Sequence, residues 1–196
     1  SMIKLNEGAI LDKGQKLWKR ANTIILGGNS LLSKNPNLFL PNKWPTYFSK
    51  SKGCKVWDLE NSCYTDMSLM GVGTNILGYC NNEVDNVVRN VVKKGNLTSL
   101  NCPEEVFLAE KLLSIHPWAE KVKFARTGGE ANAMAVRIAR AASGKENVAF
   151  CGYHGWHDWY LAANLKNKKN LDGHLIPGLD PLGVPSSLSN TAFGFE

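Results

Sequence analysis

The sequence has no CxxC pair, and its five cysteines (Cys54, Cys63, Cys80, Cys102, Cys151) are an odd count. Both features argue against a disulfide framework and favour reduced thiols in a cytoplasmic setting. No apolar run approaches the length of a membrane span, and no signal-peptide pattern opens the chain. A membrane is therefore not among the expected partners. Charge is modest: 20% of residues are charged, with a diffuse net +6. The one tight basic cluster, "KNKKN" from Lys166 to Asn170, sits in a Gly/Pro-rich neighbourhood and reads as a solvated loop. Nucleic acid is not expected as a partner either. A Gly-Lys-Ser/Thr phosphate loop is missing, and so is a nucleophile elbow.

What is present is ordinary globular material. The 196 residues, 43% of them apolar, fit one domain or one domain with an appendage. Ile10, Leu17, Trp18 and Ala21 suggest an amphipathic first helix, interrupted by Gly14. "LGGNSLLSKNPNLFLPNKWP" is rich in Gly, Asn and Pro and reads as an extended loop. "KVWDLENSCYTDMS" has two strand-like runs around Glu60-Asn61-Ser62, the pattern of a hairpin. "GVGTNILG", Gly71 to Gly78, is a glycine-rich loop. Asn82 then caps a helix carrying Val84, Val87, Val88, Val91 and Val92, with Gly95 past its end. Pro103, Glu104 and Glu105 open another helix, with Leu108, Leu112 and Ile115. "KVKFA", residues 121–125, reads as a short strand, and "NVAFC" from Asn147 to Cys151 as the next one.

Between them lies "FARTGGEANAMAVRIARA". Two adjacent glycines stand where an Ala-rich helix begins, with Ala131, Ala135, Ile138 and Ala142 on one face and Arg137 and Arg140 off it. Strand, helix and strand over Lys121–Cys151 suit a βαβ unit on a parallel sheet. Ligands of open α/β sheets sit at the carboxyl ends of strands. Thr127-Gly128-Gly129 and Gly152-Tyr153-His154-Gly155 both occupy such ends, so the two loops are expected to converge. The first offers bare amides, which at a helix start bind anions. The second offers an aromatic ring and an imidazole. The glycine pair could also be no more than a tight turn. A dinucleotide site lacks the GxGxxG order and an acidic residue ending the next strand. His154 and His157, three apart with Asp158 next, could be two metal ligands, but a third ligand at fitting spacing is missing, so no metal is expected. His116 and His174 are isolated and read as surface or core histidines.

The run "VKFARTGGEANAMAVRIARAASGKENVAFCGYHGWHDWYLAA" resembles the cofactor-binding stretch of the class III aminotransferases, especially the glutamate-1-semialdehyde aminomutase branch. There a strand, a Ser-Gly-Thr-Glu-Ala turn, an Ala/Arg-rich helix, a strand and Tyr-His-Gly follow in this order. Upstream, "LGGNSLLSK" and "GCKVWDLENSCYTDMSLMGVGTNILGYCNNEV" resemble further segments of that branch. The similarity covers about Gly27 to Ala163. It implies an α/β chain forming the N-terminal part of a fold-type-I, aspartate-aminotransferase-like architecture. Residues 1–65 would be an N-terminal segment and 66–196 the first part of the cofactor-binding large domain, with βαβ units on a mainly parallel sheet. It also implies a homodimer dependent on pyridoxal 5′-phosphate (PLP), acting on an amino-acid donor and a carbonyl acceptor.

Site residues follow from the same resemblance. Gly128 and Gly129 align with the Gly-Thr pair whose amides hold the cofactor phosphate, and Thr127 with the serine before it. Tyr153 aligns with the residue that stacks on the pyridine ring, and His154 and Gly155 complete that motif. Gly129 stands where threonine is usual, and Arg126 where asparagine is common. Ser33, near Ser30, falls where the aminomutase has an arginine for the substrate carboxylate, with Lys34 beside it. The Schiff-base lysine and the aspartate on the pyridine nitrogen are expected beyond Glu196, so no catalytic residue is assigned within the chain. The implied activity is amino-group transfer. An intramolecular amino shift and a non-catalytic remnant are the alternatives.

Overall fold

The structure, a computed structural model, describes residues 12–195. Its backbone divides into two compact units, residues 1–101 and 102–196.

In the first unit, helix α1 spans Lys13–Ile24. Asp12 caps it, its carboxylate accepting from Gln15 N at 2.7 Å. The Lys13 amide, one of the donors a helix start leaves unpaired, donates to Glu60 Oε1 at 2.9 Å. Gln15, Trp18 and Ala21 bury one face, at the three-residue spacing of a helix. Gln15 Nε2 donates to the Trp44 carbonyl at 2.7 Å, which satisfies its buried amide. Gly14 lies inside the first turn and does not interrupt the helix, because a glycine there costs too little to break a packed, capped segment. Ile10, expected on the same helix, lies outside the described residues. The loop that follows contains two 3-10 turns, Leu32–Lys34 and Pro36–Leu38. It also folds Gly28 onto Trp18: at φ +76° a Cβ there would come within 2.5 Å of the indole.

Three antiparallel strands follow in the order β1 (Phe48–Lys52), β2 (Lys55–Asp58) and β3 (Cys63–Thr65). The β2–β3 hairpin pairs Lys55 with Thr65 and Trp57 with Cys63. Asp58, 8% exposed, organises its turn. It accepts from the amides of Glu60 and Ser62 at 2.9 and 2.8 Å and from the Tyr64 hydroxyl at 2.8 Å. Burial acts to raise the Asp58 carboxyl, but the Tyr64 hydroxyl and the two amides outweigh it and hold the group below its ordinary value. A depressed carboxylate stabilises the fold above its unfolded pKa of about 3.9. That contribution is lost as pH falls through the lower, folded value. Asp58→Asn, which keeps only one acceptor oxygen, should therefore be less stable at neutral pH. Its urea midpoint should also respond less than the wild type's to acidification from about pH 6 to about pH 2. Parallel midpoint curves for the two proteins would refute this account of the turn.

Helix α2 spans Asn82–Lys94 and is closed by Gly95 at φ +92°. Its cap is Asn81, not Asn82: the Asn81 side chain accepts from Glu83 N and Val84 N. Asn82 instead accepts from Lys52 Nζ at 2.8 Å.

In the second unit, α3 (Pro103–Ile115) begins as its sequence indicates, with Pro at the first turn and Glu104 and Glu105 behind it. Residues 121–125 form no strand. Their apolar alternation is that of a strand, but among the described residues no neighbour pairs with them, and an unpaired segment forms no ladder. Helix α4 covers Gly128–Ser143 and ends on Gly144 in the left-handed region. β4 (Val148–Phe150) pairs in parallel with β5 (Ala192–Gly194), Val148 facing Ala192. The expected βαβ unit over Lys121–Cys151 is thus replaced by a parallel pair closed much further along the chain. Short helix α5, Asp158–Leu161, lies in the crossover.

Phe150, Trp159, Tyr160, Ala162, Ala163, Leu171 and Ala192 form the core of this unit. Helix α4 packs on it through Ala133 and Val136, not through the expected face: Ala131, Ala135, Ile138 and Ala142 are exposed. Alanine is spread round the whole helix, so the small residues do not mark a side. Arg140, expected off the packed face, is half-buried. Its guanidinium donates to the carbonyls of Glu146 at 2.7 Å and Thr191 at 3.3 Å. Two backbone oxygens that flank the β4–β5 pair are satisfied in this way.

Candidate functional site

The start of α4 is built by its neighbours in sequence. Thr127 is the cap, its Oγ1 accepting from Glu130 N at 3.2 Å. Glu130 reaches back, and its carboxylate accepts from Arg126 N at 2.9 Å. This is a capping box displaced by one residue. The Ala131 amide bonds to the Thr127 carbonyl. The amides of Gly128 and Gly129 are left over. Among the described residues neither has a protein acceptor, and a Cβ on Gly128 would meet nothing within 4 Å. Two adjacent donors without a protein acceptor stand at the positive end of a 16-residue helix, which is the arrangement that takes an anion.

The loop leaving β4 comes to the same place. A Cβ built on Gly155, at φ +95°, would lie 3.8 Å from the Gly129 Cα. A Cβ on Gly129 would lie 2.8 Å from His157 Nε2. The convergence expected for these two loops is therefore a direct contact, although the first does not follow a strand. Gly152, at φ +80°, anchors the loop at both polar atoms. Its amide donates to Nδ1 of buried His174 at 3.1 Å. Its carbonyl accepts a long bond from the Tyr160 hydroxyl at 3.4 Å. Burial pushes the Tyr160 phenol up, so it stays a donor. Tyr153 is half-buried, its ring edge-on to Tyr160 at 5.9 Å. His154 Nε2 lies 2.7 Å from the Cys151 carbonyl, so that nitrogen carries the proton. The ring also lies edge-on to Phe150.

Thr127, Gly128, Gly129, Tyr153, His154 and Gly155 thus lie on two loops of one unit that touch. Ser30, Ser33 and Lys34 belong to the first unit, where all three are exposed. In the sequence His157 stands out only as a possible metal ligand, and His174 is isolated. His174 is indeed a core residue, but one that holds the Tyr153 loop. Only its closeness to Gly152 gives it that part, and 22 positions separate the two in sequence.

The sequence matches the aminotransferase class-III family over residues 41–188, and the chain belongs to that family. It is 35% identical over 150 residues to the 3-aminobutyryl-CoA aminotransferase of Cloacimonas acidaminovorans (strain Evry), covering 76% of this chain and 36% of that protein. It is 37% identical over 193 residues to the glutamate-1-semialdehyde 2,1-aminomutase of Methylacidiphilum infernorum (isolate V4), covering 96% of this chain and 42% of that protein. A solved transaminase with PLP bound superposes with a TM-score of 0.74 at 28% identity, over 95% of this chain and 42% of that one. The fold is accordingly part of the fold-type-I architecture of PLP-dependent transaminases, and members of the family are enzymes. The chain spans about two fifths of the length of these relatives. Among the described residues no helix is long and apolar enough to cross a membrane.

Proposed function

We propose that this chain provides the phosphate and ring contacts of a PLP site. The enzyme would transfer an amino group between an amino-acid donor and a carbonyl acceptor. The observation that carries this reading is the pair of acceptor-free amides, Gly128 and Gly129, beside the Tyr153–Gly155 loop. The donor set fits the cofactor. A dianionic phosphate suits two amides at a helix start, and the Thr127 hydroxyl, which accepts from Glu130 N, still has its proton to give. Tyr153 would stack on the ring, and His154 would hold the loop closed through Cys151. The bound cofactor supplies an electron sink and the carbon that carries the amino group; the protein supplies position and electrostatics. Ser30, Ser33 and Lys34 are proposed for the substrate carboxylate, and a homodimer is the proposed assembly. Similarity to an aminomutase along 96% of the chain favours an intramolecular amino shift as the second reading.

The test is Gly128→Val. Its side chain enters space free of protein atoms, so the fold should be kept while the phosphate is crowded. Hydrogen bonds to charged groups contribute about 1.5–3 kcal/mol each. PLP affinity, read by absorbance titration, should therefore fall about 10- to 100-fold. Affinity unchanged within error would remove the phosphate from this turn.

A further inference from the structure

We propose that His157 is an additional phosphate ligand, donating from Nε2 across the space that Gly129 leaves open. The inference rests on the reading of the Gly128-Gly129 turn given above. In a helix the Cα–Cβ bond leans toward the N-terminus. An atom 2.8 Å from the Cβ position of Gly129, as His157 Nε2 is, therefore lies beside the open end of α4. The unpaired amides point to that same side. The imidazole fills the volume that any other residue at position 129 would claim for itself.

The ring is placed but not used. It is half-buried, and among the described residues neither ring nitrogen has a hydrogen-bond partner in the protein. It lies against Trp156, ring centroids 4.9 Å apart and planes at 39°. Its backbone caps α5, and the Tyr160 and Leu161 amides bond to the His157 carbonyl at 2.9 and 3.1 Å. Trp159 and Tyr160 tie that helix into the core, so the imidazole is held at the turn by packing. A shared role with His154 is disfavoured, because His154 Nε2 is engaged by the Cys151 carbonyl. A phosphate monoester presents three free oxygens. Two amides and the Thr127 hydroxyl leave room for a donor from the side, and the three heavy atoms nearest a Cβ on Gly129 all belong to the His157 ring.

The experiment compares inorganic phosphate, PLP and pyridoxal, which lacks the phosphate, on the wild type and three variants. Nitrogen shifts of the His157 ring are followed by NMR, dissociation constants by titration, and folding by urea midpoints. Phosphate and PLP should move the His157 Nε2 signal, and pyridoxal should not. His157→Ala should weaken phosphate and PLP about tenfold, the scale of one charge-assisted hydrogen bond, and leave pyridoxal unchanged. Gly129→Ala, whose methyl group displaces the ring, should reproduce that loss without touching either amide. Gly128→Val is the control for the turn itself. If it weakens phosphate while His157→Ala does not, and the ring signal stays still, His157 is no ligand and the turn survives. If neither phosphate nor PLP binds the wild type, both readings fall.

Discussion

Asn164→Leu should destabilise the second unit by about 1–4 kcal/mol, the cost of leaving one buried and one part-buried backbone group unpaired. Asn164 is fully buried. Its Oδ1 accepts from Leu171 N at 3.0 Å, and its Nδ2 donates to the Leu179 carbonyl at 2.7 Å. Leucine is similar in size, so little cavity forms and the loss is one of polar satisfaction. Small domains hold only about 5–15 kcal/mol in total, so a substantial part of the folded population is at stake. The segment that Asn164 ties down includes His174, the residue holding Gly152. A urea midpoint within error of the wild type would show that water replaces both bonds at no cost.

Tyr160→Ala should cost about 3–5 kcal/mol, the range for removing a large buried aromatic side chain. The ring is wholly buried. It lies 5.0 Å from Phe150, 5.7 Å from Trp159 and 5.9 Å from both Tyr153 and His154, centroid to centroid. Removing it opens a void behind Tyr153, proposed to stack on the cofactor ring, and behind His154, which holds the loop. The loop should therefore loosen, and PLP affinity should fall along with stability. Tyr160→Phe keeps the packing and gives up only the 3.4 Å bond to the Gly152 carbonyl. Its cost should stay under about 1 kcal/mol. Equal losses for the two variants would mean that the hydroxyl, not the ring, carries the load.

The elements legible in the sequence are those with local chemical signals. Helix α2 announces itself by its asparagine cap and apolar period, α3 by Pro103 and the two glutamates of its first turn, and the β2–β3 hairpin by its turn residues. Family membership was legible from motif order alone. The partner of β4 was not: Ala192–Gly194 is a strand only because Val148–Phe150 lies beside it. Residues 121–125 show the converse, a strand-like pattern with no partner. The packed face of α4 was hidden for a different reason. A helix with six alanines has no unique apolar stripe, and Arg140 buries a stem that its charge class would place in water. At the site, the glycine pair was visible because glycine at a helix start is a local anomaly. The contact of His157 with Gly129 was not visible, because it depends on how a loop folds back over 28 positions.

The parallel pairing of Val148 with Ala192 has a consequence in time. A parallel pair needs a long crossover, and closing it must precede any gain from the contact. At ribosomal rates of about 5–20 residues per second, the 44 positions between Val148 and Ala192 take about 2–9 s to emerge. During that interval Phe150, Trp159 and Tyr160 lack the strand that completes their core. The nascent second unit should therefore be a client for holding factors until Ala192–Gly194 arrives. Its refolding in vitro should be slow and should lose yield as protein concentration rises.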